Sequence, residues 1–250
     1  MSSFLDSAVD AARQAGALIR ENYESDLQVN EMLDHDIKIE LDVRSQQLIT
    51  DILLKAHPEH AIFGEEGIDG DQSSDYQWIV DPIDGTVNFY FGIPHFCVSI
   101  ALRHQGEIIL GVIYDPMRDE LFSVGPDTPA NLNGRPISPS ARDAWNQAVI
   151  TVGFSKTEAG MEAGIERFKR IAFKVRKTRM LGSAALGMAY IACGRLDAYI
   201  EEAVSLWDIA AGELLIKSAG GTVTRGPEKE NGTFGVVSSN GKLPVEDLDL

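Results

Sequence analysis

Residues 78–89 read Trp78-Ile79-Val80-Asp81-Pro82-Ile83-Asp84-Gly85-Thr86-Val87-Asn88-Phe89. The apolar run that opens this stretch predicts a buried strand. It ends at Asp81, Pro82 stiffens a turn by fixing its own φ, and Asp84 follows three positions after the first acid. Two carboxylates on one rigid turn can point into one small volume, where they repel each other unless a cation lies between them. Gly85 and Thr86 then offer backbone N–H groups, and a helix opening there favours a phosphate at its N-terminus. Taken alone, the string also fits an ordinary Asp-Pro-x-Asp-Gly surface turn.

Other acids fall at comparable places. Upstream, Ala61-Ile62-Phe63 is a short apolar strand followed by Gly64-Glu65-Glu66-Gly67. Neighbouring side chains of a strand point to opposite faces, so one of Glu65 and Glu66 at most shares the face of Asp81 while the chain is extended. Downstream, Leu206-Trp207-Asp208-Ile209-Ala210-Ala211-Gly212 puts an acid at the start of a helix, where a cap is worth about 1 kcal/mol. Each acid has a plain explanation as a loop or a cap, but three clusters at the ends of elements are read together as a cation site.

Further out, residues 3–22 carry apolar positions at helical spacing, and so do residues from Glu40 to about His57, where His57-Pro58 stops the helix. Strand-like runs at 61–63, 78–80, 96–102, 108–114 and 120–124 predict a mostly antiparallel sheet with hairpins, turning at Arg103–Gly106 and Pro116–Asp119. Residues 126–142 are rich in Pro, Asn, Ser and Ala and are expected to be a surface excursion joining two subdomains, about 1–140 and 141–250. The second half alternates strands at 148–154, 177–180, 197–200 and 222–224 with helices at 159–171, 183–193 and 208–218, an α/β pattern. Residues 245–250 read as an acidic tail.

The chain has 250 residues, 44% hydrophobic and 24% charged, which excludes bulk disorder. A chain of this length buries about three quarters of its unfolded surface and needs no disulfide or structural metal. Cys97 and Cys193 lie in apolar stretches and are expected to be small buried hydrophobes. With 22 lysines and arginines against 38 acids the net charge is −16, spread along the chain. That balance argues against direct nucleic-acid or anionic-lipid binding, and a phosphorylated substrate would need a cation between itself and the carboxylates. The N-terminus lacks the basic and apolar regions of a signal peptide and no run of eighteen apolar residues occurs, so a cytoplasmic protein without a membrane partner is expected. His35, His57, His60, His95 and His104 show no metal-ligand spacing.

Taken in order, Asp42, Gly64-Glu65-Glu66, Asp81-Pro82-Ile83-Asp84-Gly85-Thr86, Trp207-Asp208 and Gly220-Gly221 resemble the pattern of the inositol monophosphatase superfamily of magnesium-dependent, lithium-sensitive phosphatases. The resemblance runs over nearly the whole chain. It implies an α/β (α+β) layered sandwich of alternating helix pairs and β-sheets, and a homodimer. It implies two or three Mg²⁺ ions: Glu65, Asp81 and the Ile83 carbonyl on a first, Asp81, Asp84 and Asp208 on a second, and Glu65 near a third. Thr86 and Glu65 would orient and deprotonate the attacking water, Gly85 and Thr86 would hold phosphate oxygens, and Gly182, Ser183, Ala184, Glu201 and Asp208 would meet the substrate. Asp42 and Glu66 would support the site.

The implied activity is hydrolysis of a small phosphorylated polyol or sugar, first of all inositol 1-phosphate, with histidinol phosphate or fructose 1,6-bisphosphate as alternatives. The sequence departs from the family pattern ahead of Asp42, where Ile39 replaces the usual threonine and a lysine stands at 38. Val87-Asn88-Phe89 is closer to the inositol, histidinol and fructose branches than to the adenosine bisphosphate branch. A haloacid-dehalogenase-type phosphatase also carries Asp-Gly-Thr, but with its two aspartates two apart and an aspartyl-phosphate intermediate. A non-catalytic regulatory binding role is the alternative from another class.

Overall fold

The computed structural model describes residues 3–25, 29–33, 36–154 and 157–245. Of the acidic tail expected at 245–250, residues 246–250 lie outside the described residues. Helix α1 (Phe4–Glu21) starts at Ser3, whose hydroxyl accepts from the Asp6 amide at 3.1 Å while Asp6 returns a bond to the Ser3 amide at 3.3 Å. Its buried stripe, Ala8, Ala11, Ala12, Ala15 and Ile19, keeps the helical spacing seen in the sequence. Strands β1 (Val29–Leu33) and β2 (Asp36–Ile39) form a hairpin that runs directly into α2 (Glu40–Ala56). Then follow β3 (Ala61–Gly64), β4 (Gly67–Gly70), β5 (Tyr76–Asp84), the short helix α3 (Thr86–Tyr90), β6 (Cys97–His104), β7 (Glu107–Asp115), β8 (Glu120–Gly125), β9 (Thr128–Leu132) and β10 (Arg135–Pro136).

These strands, without β1 and β2, make one eight-stranded sheet in the order β10-β9-β8-β7-β6-β5-β3-β4, with β3 and β5 parallel and the other neighbours antiparallel. The second half adds β11 (Val149–Val152), α4 (Glu158–Ala172), β12 (Lys177–Arg179), α5 (Ala184–Ala192), β13 (Ala198–Val204), α6 (Leu206–Ala219), β14 (Thr222–Arg225) and β15 (Phe234–Ser239). Its sheet has the order β12-β11-β13-β15-β14, parallel on the β12 side and antiparallel on the β14 side.

Three buried clusters sort the elements into layers. Trp78, Val80, Ile100 and Val112 on one face of the large sheet pack on α1 and α2. Ile79, Ala101, Ile113 and Phe122 on its other face pack on α5 and α6, which also meet Tyr199 and Val236 of the second sheet. Ile150, Ala198 and Val237 on the far face of the second sheet pack against Phe168 and Ile171 of α4. The result is helix pair, sheet, helix pair, sheet and a covering helix, the layered sandwich expected from the resemblance.

Several elements depart from the sequence expectation. Residues 126–142 are not wholly a surface excursion, since β9 and β10 extend the large sheet and Ala130 is buried. Strand β15 (Phe-Gly-Val-Val-Ser-Ser), for which the sequence reading names no element, has all six residues buried and lies between β13 and β14 in the second sheet. The β1–β2 hairpin and the fully exposed β4 carry too few apolar residues to announce themselves.

Candidate active site

The site is built on an irregularity in β5. Residues three apart in a regular strand face opposite sides, yet Asp81 pairs with Ser99 of β6 and Asp84 with Cys97, so three residues of β5 span two of β6. The extra residue is a β-bulge at Pro82, where the missing N–H costs the ladder nothing. The core records the flip: Ile79 packs on the α5 and α6 side, whereas Ile83, of the same parity, packs on the α1 and α2 side. The sequence reading of a turn is thereby corrected, because the strand runs on through Asp84. Both acids are 7% exposed or less and lie on one side.

Asp84 reaches across to the second half of the chain. It accepts hydrogen bonds from the Ser183 hydroxyl, from the amides of Ala184 (3.2 Å) and Ala185 (2.8 Å), and a weak one from the Cys97 thiol (3.5 Å). It therefore sits on the N-terminus of α5, where unpaired amides favour an anion. Ser183 is also the cap of α5, accepting from the Leu186 amide. Gly182, Ser183 and Ala184 line the cavity, where the Ser183 hydroxyl and the Ala184 amide are engaged by Asp84.

Asp208 is not the N-cap of α6, which is Ser205; it lies in the first turn, at the third helical position, and closes a capping box by accepting from the Ser205 amide at 2.6 Å. It does more, since one oxygen each of Asp81, Asp84 and Asp208 can be chosen within 4.8 Å of one another. Glu65 follows β3, its amide bonded to the Val80 carbonyl, and its charge raises the pKa of Asp81, Asp208 and Asp42. Glu66 turns to Lys38 at 3.9 Å, which gives the unexpected lysine a partner. Ile39 precedes α2 and offers no side-chain cap; Asp42 holds its amide at 2.9 Å, and Ile39 buries its side chain instead. The Thr86 hydroxyl donates to the Ile83 carbonyl at 2.9 Å and stands 3.4 Å from Asp42.

Burial and mutual repulsion act on these acids together. Asp81 is raised well above the usual carboxylate range by desolvation, then by Glu65 and Asp84; Asp208 is raised by desolvation, then by Asp84 and Glu65. Asp84 is raised by desolvation against the pull of its four donors, and Asp42 is pushed up to about 8, chiefly by burial. The described residues lining the adjoining cavity of about 400 Å³ include no lysine, arginine or histidine to relieve the repulsion. Oxygen donors alone, converging and uncompensated, suit a hard divalent cation such as Mg²⁺.

Gly85 holds φ at +98°, and a Cβ there would lie 3.0 Å from the His95 carbonyl and 3.1 Å from that of Gly182. Beyond Gly85 and Thr86 the cavity is walled by Val152, Phe154, Met161 and Met180, with Glu201 on β13. The Tyr199 hydroxyl donates to Glu201 at 2.5 Å, and a Cβ on Gly153 would overlap the Glu201 carboxylate. Tyr199 and Gly153 went unnoticed in the sequence. The i, i+2 spacing of Tyr199 and Glu201 on a strand was the signal that places both on one face.

Known proteins share this architecture. The Nus factor SuhB of Pseudomonas aeruginosa is 40% identical over 232 residues, covering 90% of this chain and 86% of that one. The crystal structure of extragenic suppressor protein suhB from Bartonella henselae superposes with a TM-score of 0.89 at 35% identity, covering 96% of this chain and 94% of that one. The inositol monophosphatase of Anabaena gives 0.82 at 34%, covering 96% and 91%. The inositol monophosphatase family profile matches residues 1–245, and with its bulged strand, its converging acids and its layers the chain belongs to that family.

Proposed function

We propose that this protein is a Mg²⁺-dependent phosphate-monoester hydrolase and that its preferred substrate is inositol 1-phosphate. The convergence of Asp81, Asp84 and Asp208, buried and without a cationic neighbour among the residues that line the cavity, is the observation that carries this reading. These three would hold one ion, and Glu65, Asp81 and the Ile83 carbonyl another, with Glu65 near a third. A divalent cation there supplies charge neutralisation to the phosphoryl group and to its leaving oxygen. The Thr86 hydroxyl, its proton given to the Ile83 carbonyl, keeps lone pairs to orient the attacking water, and Glu65 takes the proton from that water. Gly85 and Thr86 hold phosphate oxygens through their amides, and Asp42 steadies Thr86. Glu201, with Asp208, accepts from substrate hydroxyls, while Gly182, Ser183 and Ala184 shape the wall beside them. Attack is in line, without a covalent intermediate.

A regulatory binding role is a second reading, favoured by one observation: relatives 38–40% identical bear the name Nus factor SuhB. Phosphate release separates the two. Inositol 1-phosphate, histidinol phosphate, fructose 1,6-bisphosphate and 3′-phosphoadenosine 5′-phosphate are compared with and without Mg²⁺, and with Li⁺ added. The expected result is Mg²⁺-dependent, Li⁺-inhibited release with a preference of roughly a hundredfold for inositol 1-phosphate, about 2.7 kcal/mol in the transition state. A preference for another member of the panel replaces the substrate and keeps the chemistry. No Mg²⁺-dependent release from any of them transfers the weight to the binding role.

A further inference from the structure

A second cavity, of about 390 Å³, lies between the β6–β7 turn of the large sheet, the start of α6 and the β14 edge of the second sheet. It shares no lining residue with the cavity of the candidate active site. Phe63 of β3, Trp207 in the first turn of α6 and Phe234 at the start of β15 give it aromatic walls, and the rings of Phe63 and Trp207 lie 5.4 Å apart, tilted by 49°. Its charged residues are Arg103 of β6, Arg225 at the end of β14 and Glu228 in the loop that follows. That loop is tied down: the Gly226 amide donates to the Gly235 carbonyl at 2.9 Å, and the Lys229 amide to the Thr233 carbonyl at 2.8 Å. Arg225 lies over the Phe234 ring, 4.9 Å from its centre, with Nη1 at 3.4 Å from Oε1 of the buried Glu213. That contact is an ion pair without a hydrogen bond, because the Glu213 oxygen has no hydrogen-bond partner. The donors of Arg225 are therefore unspent, and Arg103 donates to the Gln77 side chain but pairs with no carboxylate among the described residues. Glu213 has Lys217 as well, at 3.3 Å. Three cations, Arg103, Arg225 and Lys217, thus stand against Glu213 and Glu228, and one positive charge is left over.

From this combination of rings and unspent arginine donors we propose that the cavity is a binding site for a small aromatic carboxylate. A guanidinium presents its N–H groups as a planar fork that matches a carboxylate, and two such forks line this one space. Aromatic walls favour a flat ring, which packs on them edge-to-face or offset. The single unbalanced positive charge suits a monoanion, whereas a phosphate monoester carries nearly two negative charges and would leave one of them facing Glu228. A neutral ring would fill the space and leave the donors of Arg225 unused. The volume is that of a small-molecule site. Trp207 directly precedes Asp208, and Phe63 stands two residues before Glu65, so an occupant rests on the main chain that carries two of the acids of the other cavity. The proposal does not depend on the phosphatase reading.

Equilibrium dialysis of the full chain against 2-naphthoate in EDTA tests the proposal. Without divalent cation the carboxylates of the candidate active site repel an anion, so binding under these conditions reports on another place. One site of sub-millimolar affinity is expected. Arg225→Gln and Arg103→Gln should each weaken binding about tenfold, and Glu228→Gln, which removes the opposing charge, should tighten it about threefold. Unchanged melting temperatures certify that the variants fold; should Arg225→Gln melt lower, Arg103→Gln and Glu228→Gln still decide, since neither residue pairs with the buried Glu213. 2-Naphthalenemethanol, with the ring but no charge, and cyclohexanecarboxylate, with the charge but no aromatic ring, should bind at least about tenfold more weakly. Absence of binding, indifference to Arg103→Gln and Glu228→Gln, equal affinity for either control, or tighter binding of 2-naphthyl phosphate overturns the proposal.

Discussion

Buried carboxylates that face one another hold protons that they would release in water. Asp42, with its pKa at about 8 in the folded chain against 3.8 unfolded, binds more proton when folded throughout that interval. Its contribution to stability is therefore present at low pH and lost as pH rises through 8. Asp81, Asp84 and Asp208 are shifted in the same direction. Without divalent cation the protein should lose stability as pH rises from about 4 to about 8, and Asp208→Asn should recover part of it, because the amide carbonyl still accepts from Ser205 while the charge is gone. The expected gain in EDTA at pH 8 is about 1 kcal/mol, or ~2–4 °C in melting temperature for a chain of this size, together with loss of phosphate release. A variant that melts lower than the parent in EDTA would show that repulsion is not what limits the metal-free fold. At this scale the sequence was informative: Glu65, Asp81, Asp84 and Asp208 could be read off as acids at the ends of elements. It did not disclose that the Ser183 hydroxyl is spent on Asp84, because that bond joins positions 99 residues apart.

Among the elements, α5 acts as a clamp on Asp84 through its cap and its first amides. Ser183→Ala removes one donor to Asp84 and the cap of the helix, a loss of about 1 kcal/mol of stability, but removes no proposed ion ligand. The apparent affinity for Mg²⁺, read from the rise in melting temperature on titration, should fall several-fold, and Ser183→Thr should restore it. Unchanged Mg²⁺ affinity in Ser183→Ala would mean that the amides of Ala184 and Ala185 suffice. The helices were legible because alanine and isoleucine recur at their period over many residues, as in α1. The β5 bulge was not, since alternation gives no warning of an inserted residue, and Pro82 reads equally well as a turn. Strand β15 escaped for another reason: it ends in two serines that are buried all the same, Ser239 bonded across to Thr222 at 2.9 Å and Ser238 with its hydroxyl unpartnered.

Across the whole molecule, the first helix pair is joined to the large sheet by a stack of rings. His60 lies 5.0 Å from His57, 4.8 Å from Tyr76 and 5.3 Å from Phe4 between centroids, and its Nδ1 is buried without a partner. Burial, then the neighbouring His57, lowers its pKa to about 4. Between that value and 6.5 the unfolded chain binds the extra proton, so the contribution of His60 is complete above pH 6.5 and lost as pH falls towards 4. Urea midpoints measured from pH 7 to pH 4.5 should fall more steeply for the parent than for His60→Phe. Equal slopes would place the acid sensitivity elsewhere; the carboxylates act in the opposite sense and cancel in the comparison. The layered sandwich was implied by the family resemblance of the ordered motifs, whereas helix–strand alternation gave only an α/β pattern for the second half. A summed charge concealed the two arginines of the second cavity, because averaging over 250 residues discards position. Asp84, for its part, joins β5 to α5, and Asp208 comes later still. On the ribosome, Asp81 and Asp84 emerge long before the amides and the third acid that complete their setting. A half-made chain thus has no finished trap for the ion proposed between Asp81, Asp84 and Asp208, and that place can fill only after synthesis has passed Asp208.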